Sequence, residues 1–244
     1  MIFSAAKITE EILGFISSHI GSRTPIVAVS GGVDSAVVLM VASKLDKGNV
    51  KAIFMPDCMT PQSDYRDIAL LSDRSGVTVD LVNIDPIVKQ AAELTHQADR
   101  RVIGNVKSRI RMTILYAFAN SLNGIVLGTT NRTEYLTGYF TKFGDGGCDI
   151  EPIMHLYKGE VRMLAEYLGV PETIIRKKPS AGLWEGQTDE DELGLSYDDL
   201  DEALKNVIDL HKPAESPGER KAMDLFRSTE HKRSVPPAIS RREG

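Results

Sequence analysis

Hydrophobic residues at the start of the chain follow two different spacings. Ile8, Ile12 and Ile16 recur at helical intervals. This spacing predicts a helix over residues 5–20 with one buried face. The apolar run at residues 25–29 is continuous instead, which is typical of a strand buried on both faces of a parallel sheet.

The strand–turn–helix unit recurs along the following part of the chain. Further strands are predicted at residues 50–55, 77–84 and 125–128. Helices are predicted at residues 36–45, 63–75 and 105–122. Because strands alternate with helices, the pattern predicts an α/β sheet with right-handed crossovers.

The predicted helix at residues 105–122 has more hydrophobic positions than a surface helix needs. They fall into two stripes, one of Val106, Ile110 and Ile114 and one of Met112, Leu115, Phe118, Ala119 and Leu122. A surface helix of a globular protein needs only one such stripe. The helix is therefore either deeply buried or packed with one face on a second subunit.

The sheet pattern stops after residue 150. Helices are predicted at residues 152–168 and 171–175, and a loop at residues 179–195. The acidic stretch 189–192 in that loop is either a solvated turn or part of a mobile lid over a site. Two helices and a basic tail complete the chain, which we treat as a single domain over residues 1–244 with a mobile loop at 179–195.

Composition narrows the class of protein. With 42% hydrophobic and 26% charged residues, the chain resembles an ordinary globular protein, and its net charge of −5 argues against a nucleic-acid partner. Cys58 and Cys148 form no CxxC pair, which disfavours a disulfide framework or a structural zinc site. No apolar run reaches the roughly 18 residues of a membrane span. We expect a cytoplasmic protein without a membrane partner.

The segment between the first strand and its helix carries the strongest chemical signal. Its sequence is Ser30-Gly31-Gly32-Val33-Asp34-Ser35. Two glycines allow close approach of the backbone to a ligand, and a helix N-terminus attracts an anion. An acid inside such a phosphate cradle makes sense if Asp34 holds Mg²⁺. The simpler alternative is an ordinary serine–glycine turn that caps a helix.

This hexapeptide resembles the SGGxDS loop of the N-type ATP pyrophosphatases. The resemblance implies a doubly wound, mostly parallel sheet flanked by helices, like the adenine nucleotide alpha hydrolase fold, with a C-terminal helical segment. Members of that group cleave ATP between the α and β phosphates and form an adenylate. The hexapeptide alone does not choose among NAD synthetase, GMP synthetase, asparagine synthetase, argininosuccinate synthetase and tRNA-modifying enzymes.

Three later stretches favour one member of the group. They are the run from Gly104 to Met112, the run from Gly128 to Glu134 that continues to Asp149, and the set made by residues 178–181, 187–190 and 229–233. Together they resemble NAD synthetase from about residue 22 to residue 236, in the family's order. The resemblance therefore covers nearly the whole chain.

The resemblance assigns roles to individual residues. It places Asp34 and Lys158 in catalysis, and Asp34 and Glu134 as ligands of Mg²⁺. The residues that match ATP-binding positions are Ser30, Gly31, Gly32, Val33, Asp34, Ser35, Thr129, Lys158 and Ser180. Those that match positions lining the deamido-NAD site are Arg109, Lys142, Asp149, His231 and Lys232. Cations suit a substrate that carries a pyrophosphate and a carboxylate.

Several of these residues also have simpler interpretations. Arg109, Lys158 and His231 are of a type that is common on exposed surfaces, and Asp149 is suited to capping the segment that follows it. Trp184 falls in the predicted loop, where packing and substrate stacking are equally reasonable.

The resemblance also implies a reaction and partners. The substrates are ATP, deamido-NAD and ammonia, and the carboxylate is adenylated before ammonia replaces AMP. We expect free ammonia as the nitrogen donor, because 244 residues leave no space for an amidase domain. A separate glutaminase that supplies the ammonia is the alternative. The family is typically a homodimer, which agrees with the two stripes of residues 105–122.

Two other functions compete with this one. A tRNA-thiolating or lysidine-forming enzyme of the same fold predicts a basic RNA surface or a zinc module, and the acidic balance and the absence of CxxC pairs count against it. A nucleotide-binding sensor without activity predicts loss of the metal carboxylates, whereas Asp34 and Glu134 are present.

Overall fold

A computed structural model describes residues 3–45, 50–180, 182 and 186–239 of the chain. Its centre is a parallel four-stranded sheet with the order β3-β2-β1-β4. The strands are β1 (Thr24–Val29), β2 (Lys51–Phe54), β3 (Val79–Leu81) and β4 (Gly124–Leu127).

Helices make up most of the rest of the described chain. In chain order they are α1 (Ala5–Ile20), α2 (Val33–Ala42), α3 (Gln62–Ser75), α4 (Asp85–Thr95), α5 (Arg100–Ser121), α6 (Arg132–Thr137), α7 (Lys158–Leu168), α8 (Glu172–Ile175), α9 (Asp189–Leu193), α10 (Tyr197–Leu204), α11 (Pro217–Ser228) and α12 (Glu230–Arg233). A π-helical turn, Lys205–Asp209, extends α10.

The strand order fixes where a ligand can bind. From β1 the chain moves outward to β2 and β3 and then returns to place β4 on the other side of β1. In the register of the central strand, Val27 lies opposite Ala52 on one side and Leu127 on the other. The order therefore reverses between β1 and β4, and ligands of open parallel sheets bind at this point, at the carboxyl ends of the strands.

Side chains of the central strand alternate between two cores, as the pleat of a strand requires. Val27 and Val29 pack on the face that is covered by α1, α2, α3, α7 and α8. Ile26 points to the opposite face and packs in the cluster formed with α4 and α5. Helices on both faces bury the sheet, so the predicted doubly wound α/β fold with flanking helices is confirmed.

A third hydrophobic cluster joins the C-terminal helices to α6. Tyr197, Leu200 and Leu204 of α10 pack there with Leu136 of α6 and Ala222 of α11. Tyr197 is completely buried although it carries a hydroxyl group. The predicted C-terminal helical segment is thus present, and it packs directly on the helix that follows β4.

Most predicted elements are confirmed, and the exceptions have local causes. The strand predicted at residues 77–84 contains only Val79–Leu81, the residues that pair with β2. The pattern did not reveal α4, whose first turn contains Pro86. The helix predicted at residues 152–168 begins only at Lys158, where Glu160 accepts from the Tyr157 N–H at 2.8 Å. Residues 189–193, predicted as loop, form α9.

The hydrophobic stripes of α5 differ in their burial. Leu115 and Ala119 are buried against the sheet, whereas Val106, Ile110 and Ile114 are only half-buried. Leu122 is 42% exposed. Deep burial of both stripes is therefore wrong for this chain, and the alternative, one face packed on a second subunit, stays a prediction. None of the helices in the described ranges combines the length and hydropathy that a membrane span needs.

Candidate active site

The loop after β1 is held by its own serine side chains. Ser35 Oγ accepts from the Ser30 N–H at 3.1 Å and donates to the Gly32 carbonyl at 3.1 Å. The Gly32 N–H donates to Ser30 Oγ at 3.2 Å. Gly31 has a φ of 80°, a conformation that glycine adopts without steric cost. The predicted glycine-rich bend is thus preformed at the N-terminus of α2.

One buried cation joins the two carboxylates that the sequence singles out. The Lys158 ammonium donates to Asp34 Oδ2 at 2.5 Å and to Glu134 Oε1 at 3.2 Å. Only 4% of the Lys158 side chain is exposed. Asp34 lies in the first turn of α2 after β1, and Glu134 in the first turn of α6 after β4. The group therefore spans the point where the strand order reverses.

Asn131 fixes both carboxylates in place. Its side-chain amide donates to Asp34 Oδ1 at 2.9 Å, and its side-chain carbonyl accepts from the Glu134 N–H at 2.9 Å. The Glu134 carboxylate accepts in return from the Asn131 N–H at 3.2 Å. This reciprocal pattern is a capping box, and it binds the start of α6 to the glycine-rich loop.

Burial and charge set the protonation of this group. Burial lowers the pKa of Lys158, but the carboxylates of Asp34 and Glu134 outweigh it, so the pKa lies above its ordinary value. Burial raises the pKa of Glu134, because one ammonium does not neutralise two acids in a desolvated site. The site therefore holds a permanent cation next to a carboxyl group of weakened acidity.

A further buried carboxylate, that of Asp201, holds the backbone around Lys158 in place. Asp201 of α10 accepts from the Thr133 hydroxyl at 2.5 Å and from the Gly159 N–H at 2.9 Å. Thr133 Oγ accepts in turn from the Lys158 N–H at 3.0 Å. Asp201 thus connects α6, which carries Glu134, with the start of α7.

Tyr197 of α10 packs against the same cation and connects it to Asp189 in the predicted loop. The Lys158 ammonium lies 4.9 Å from the centre of the Tyr197 ring. The Tyr197 hydroxyl donates to Asp189 Oδ2 at 3.0 Å, and the Tyr139 hydroxyl donates to Asp189 Oδ1 at 3.1 Å. Asp189 is buried, so the first acid of this stretch is part of the core and not of a solvated turn. Trp184 falls outside the described residues.

Comparison with known proteins identifies the family. A family model described as NAD synthase matches residues 7–236. The NH(3)-dependent NAD(+) synthetase of Thermoplasma volcanium is 50% identical over 235 residues, which cover 96% of this chain and 97% of that protein. The chain belongs to the NAD synthase family.

Solved structures agree with membership in the NAD synthase family. The structure of NMN synthetase from Francisella tularensis has a TM-score of 0.88 and 32% identity, covering 98% of this chain and 99% of that one. NH3-dependent NAD synthetase from Campylobacter jejuni has a TM-score of 0.85 and 27% identity, covering 98% of this chain and 100% of that one.

Four of the residues that the resemblance to NAD synthetase assigns to the deamido-NAD site lie around residues 138–142. Arg109 of α5 donates to the Lys142 carbonyl at 3.3 Å, and the Lys142 ammonium donates to the His231 carbonyl. Lys232 donates to the carbonyls of Gly138 and Phe140, at 2.7 and 2.8 Å. Arg109, Lys142, His231 and Lys232 are thus brought together along residues 138–142.

The other predicted site residues lie apart from that group. Asp149 Oδ2 accepts from the Val126 N–H of β4 at 2.7 Å, and Asp149 Oδ1 accepts from the Tyr116 hydroxyl at 3.0 Å. The carboxylate therefore binds the backbone of the edge strand β4, and not the following segment that the capping interpretation required. Thr129 lies two residues after the end of β4 and is half-buried. Ser180 is exposed, and its hydroxyl accepts from the Gly182 N–H at 3.1 Å.

Several residues of the site carry no role in the sequence analysis. They are Asn131, Thr133, Lys177, Asp189, Tyr197 and Asp201. For Asn131 a signal was available, since Asn131-x-x-Glu134 is the sequence pattern of a capping box. For Lys177 and Asp201 no local pattern exists, because their partners are far away along the chain.

Proposed function

We propose that the protein is an ammonia-dependent NAD synthetase, a ligase that adenylates the nicotinate carboxylate of deamido-NAD with ATP and replaces AMP by ammonia. The observation that carries this proposal is the buried group of Lys158, Asp34 and Glu134 beside the glycine-rich loop. Membership in the NAD synthase family and the names of its relatives, NH(3)-dependent NAD(+) synthetases, support it.

The first half-reaction moves negative charge toward the loop. An oxygen of the substrate carboxylate bonds to the α-phosphorus of ATP, and the bond from that phosphorus to the pyrophosphate oxygen breaks. The N-terminus of α2, which begins in the glycine-rich loop, is suited to the departing diphosphate. Lys158 supplies a fixed cation, and catalysis of this kind is mainly positioning and charge neutralisation.

The donor set suits a magnesium ion. Mg²⁺ is usually held by one or two carboxylates together with substrate phosphates and water. Asp34 and Glu134 are two carboxylates that already share one cation, and groups of three metal-binding side chains are absent from the part of the chain the structure describes. Asp34 and Glu134 would hold the ion. When bound, it would neutralise charge on the phosphates.

The second half-reaction forms the amide. Ammonia attacks the carbonyl carbon of the adenylate, the bond to the AMP oxygen breaks, and one proton is released. Arg109, Lys142, His231 and Lys232 are proposed to bind the anionic dinucleotide. Asp149 is proposed to contribute to the same site, and Thr129 and Ser180 are proposed to contribute to the ATP site. Their grouping along residues 138–142 supports the first four assignments.

A shorter substrate is a second candidate. The structure from Francisella tularensis with a TM-score of 0.88 is that of an NMN synthetase. The same chemistry on nicotinate mononucleotide would give nicotinamide mononucleotide. The relatives with 46–50% identity are NH(3)-dependent NAD(+) synthetases, which favours the dinucleotide.

Assembly and location complete the proposal. A homodimer is supported by the half-buried stripe of Val106, Ile110 and Ile114 on α5. A cytoplasmic location is supported by Cys58 and Cys148, which are free thiols, as expected in a reducing compartment.

Product analysis tests the function. Purified protein is incubated with ATP, Mg²⁺, ammonium and either deamido-NAD or nicotinate mononucleotide, and the nucleotides are separated by chromatography. We expect NAD, AMP and pyrophosphate from the dinucleotide, at a higher kcat/KM than for the mononucleotide. Formation of ADP would contradict the adenylate mechanism, and a preference for the mononucleotide would support the second candidate. Glutamine in place of ammonium should give little product.

A further inference from the structure

Lys177 reaches three acceptors that belong to two different elements. Its ammonium donates to the Gly31 carbonyl at 3.0 Å and to Asp64 Oδ1 at 2.9 Å. It also lies 2.6 Å from Asp67 Oδ2. Gly31 belongs to the loop after β1, whereas Asp64 and Asp67 lie one turn apart on α3. The three N–H donors of this ammonium are therefore matched by one acceptor in the loop and two acceptors on one face of α3.

Together with Ser30, this contact fixes a whole peptide unit of the glycine-rich loop. The carbonyl and the N–H of a trans peptide point in opposite directions. In the Gly31–Gly32 unit, Lys177 holds the carbonyl, while Ser30 Oγ accepts from the Gly32 N–H at 3.2 Å. A loop that binds a diphosphate must keep its carbonyl oxygens away from the anion. Rotation of this unit, which positive-φ glycine permits easily, would turn a carbonyl toward the phosphates.

The charge balance next to the loop also depends on Lys177. Asp64 and Asp67 bring two carboxylates close to Gly31, and a Cβ atom added at Gly31 would lie 3.5 Å from the Asp64 Cβ. Lys177 neutralises one of these two charges. Asp67 is only 6% exposed and also accepts from the Thr173 hydroxyl at 2.7 Å, so the acids are fixed in place. Without the ammonium, both negative charges would face a site for a polyanion.

We propose that Lys177 is a positioning residue for ATP, which orients the Gly31 carbonyl outward and offsets the charge of Asp64 and Asp67 at the phosphate loop. This inference rests on the proposed function, because it assumes that residues 30–35 bind the phosphates of ATP. It assigns to the segment after α8 a direct part in the nucleotide site.

Direct nucleotide binding tests this role without the full reaction. The dissociation constant of MgATP is measured by calorimetry without deamido-NAD or ammonium, for the wild type, Lys177→Met and the control Lys178→Met, whose side chain is exposed. We expect Lys177→Met to weaken ATP binding by about tenfold or more, which corresponds to roughly 1.4 kcal/mol. Lys178→Met should stay within about twofold of the wild type.

Kinetics separate positioning from general damage. Lys177→Met should raise the KM for ATP and leave the KM for deamido-NAD nearly unchanged, and Lys177→Arg should restore part of the loss. If Lys177→Met does not fold, Lys177→Gln, which keeps an N–H donor without the charge, should weaken MgATP binding by about threefold or more. An ATP dissociation constant within twofold of the wild type in the folded variant would overturn the proposal, as would an equal rise of both KM values. Failure of the wild type to make NAD would count against the proposed function alone, because ATP binding is measured independently.

Discussion

The hydroxyl of Thr133 donates to the carboxylate of Asp201 at 2.5 Å, in the buried layer beneath Lys158. Because Asp201 also accepts from the Gly159 N–H, it determines the position of the turn from which the catalytic cation extends. The two residues are 68 positions apart. The C-terminal helices therefore support the active site although none of them carries its reacting charges.

Replacement of Asp201 tests this support. In Asp201→Asn the amide keeps one acceptor oxygen, but its NH₂ group meets the Thr133 hydroxyl with a donor. We expect kcat to fall by about tenfold or more and stability to fall by roughly 1–3 kcal/mol, because a buried bond to a charged acceptor is lost. Steady-state kinetics and denaturant unfolding measure the two effects. Glu202→Gln on the exposed side of α10 is the control, and equal behaviour of the two variants would contradict the prediction.

Replacing the carboxylates at the candidate metal site should lower activity without changing the fold. Asp34→Asn and Glu134→Gln are nearly isosteric and keep oxygen acceptors, but they remove the charges that Lys158 balances. We expect kcat to fall by about 100-fold or more in each variant, with unchanged circular dichroism. Asp73→Asn on the exposed side of α3 should retain full activity. Full activity of both site variants would show that the metal assignment is wrong.

Lys158 itself should be needed for both activity and stability. Lys158→Met removes the only partner cation that Asp34 and Glu134 share in the described structure, and leaves two carboxylates in a buried site. We expect loss of activity and destabilisation of roughly 3–5 kcal/mol near neutral pH. Adding Glu134→Gln to Lys158→Met should recover part of the stability but none of the activity, which thermal melting and product assays would show. A single variant as stable as the wild type would contradict this account of the ion group.

Glu151 should make stability depend on pH. It lies behind β4, accepts from the Thr130 N–H at 3.2 Å, and burial raises its pKa to about 7 from an ordinary 4.5. Between about pH 4.5 and 7 the folded state keeps a proton that the unfolded state has lost, so stability falls as pH rises through this window. Glu151→Gln removes this penalty, and should be more stable than the wild type at about pH 8 by roughly 1–3 kcal/mol.

The measurement is denaturant unfolding of Glu151→Gln and wild type across this pH range. Near pH 4.5 the two proteins should differ least, because Glu151 is then neutral in the folded state and only half ionised in the unfolded state. Glu166→Gln, an exposed change on α7, should follow the wild type at every pH. A constant difference between Glu151→Gln and wild type over the whole range would exclude titration of Glu151 as the cause.

Gly128 should tolerate no side chain. A Cβ atom at this position would lie 2.3 Å from Glu151 Cδ and 2.6 Å from Cys148 Sγ, at the carboxyl end of β4. We expect Gly128→Ala to destabilise the protein by roughly 1–3 kcal/mol, because buried neighbours must move. Gly14→Ala is the matched control: it lies in α1 with no atom within 4 Å of the added Cβ, and should stabilise by up to about 1 kcal/mol. Thermal melting of both variants and the wild type measures these changes. A melting temperature of Gly128→Ala equal to that of the wild type would contradict the prediction.

The sequence by itself determined the alternation of the four strands with helices and the location of the phosphate loop, although its pattern did not reveal α4 and α6. The continuous apolar run at β1 and the glycines that follow it are local signals, because burial of a strand and positive φ are properties of neighbouring residues. The same holds for α1 and α3, whose hydrophobic spacing alone predicted their extent closely.

Local pattern was insufficient where tertiary packing decides the structure. The acidic stretch that begins at Asp189 was predicted as a loop, but Tyr139 and Tyr197 bond its first carboxylate in the core and α9 forms there. The roles of Asp201 and Lys177 depend on partners that are 42 to 146 residues away. Hydrogen bonds and ion pairs act over a few ångströms in space. The positions of acidic residues and lysines along the chain therefore do not specify which of them form pairs. Only the packing of α3 and α7 on the sheet brings Lys158 to Asp34 and Lys177 to Gly31, although both lysines are more than 120 residues from these partners along the chain.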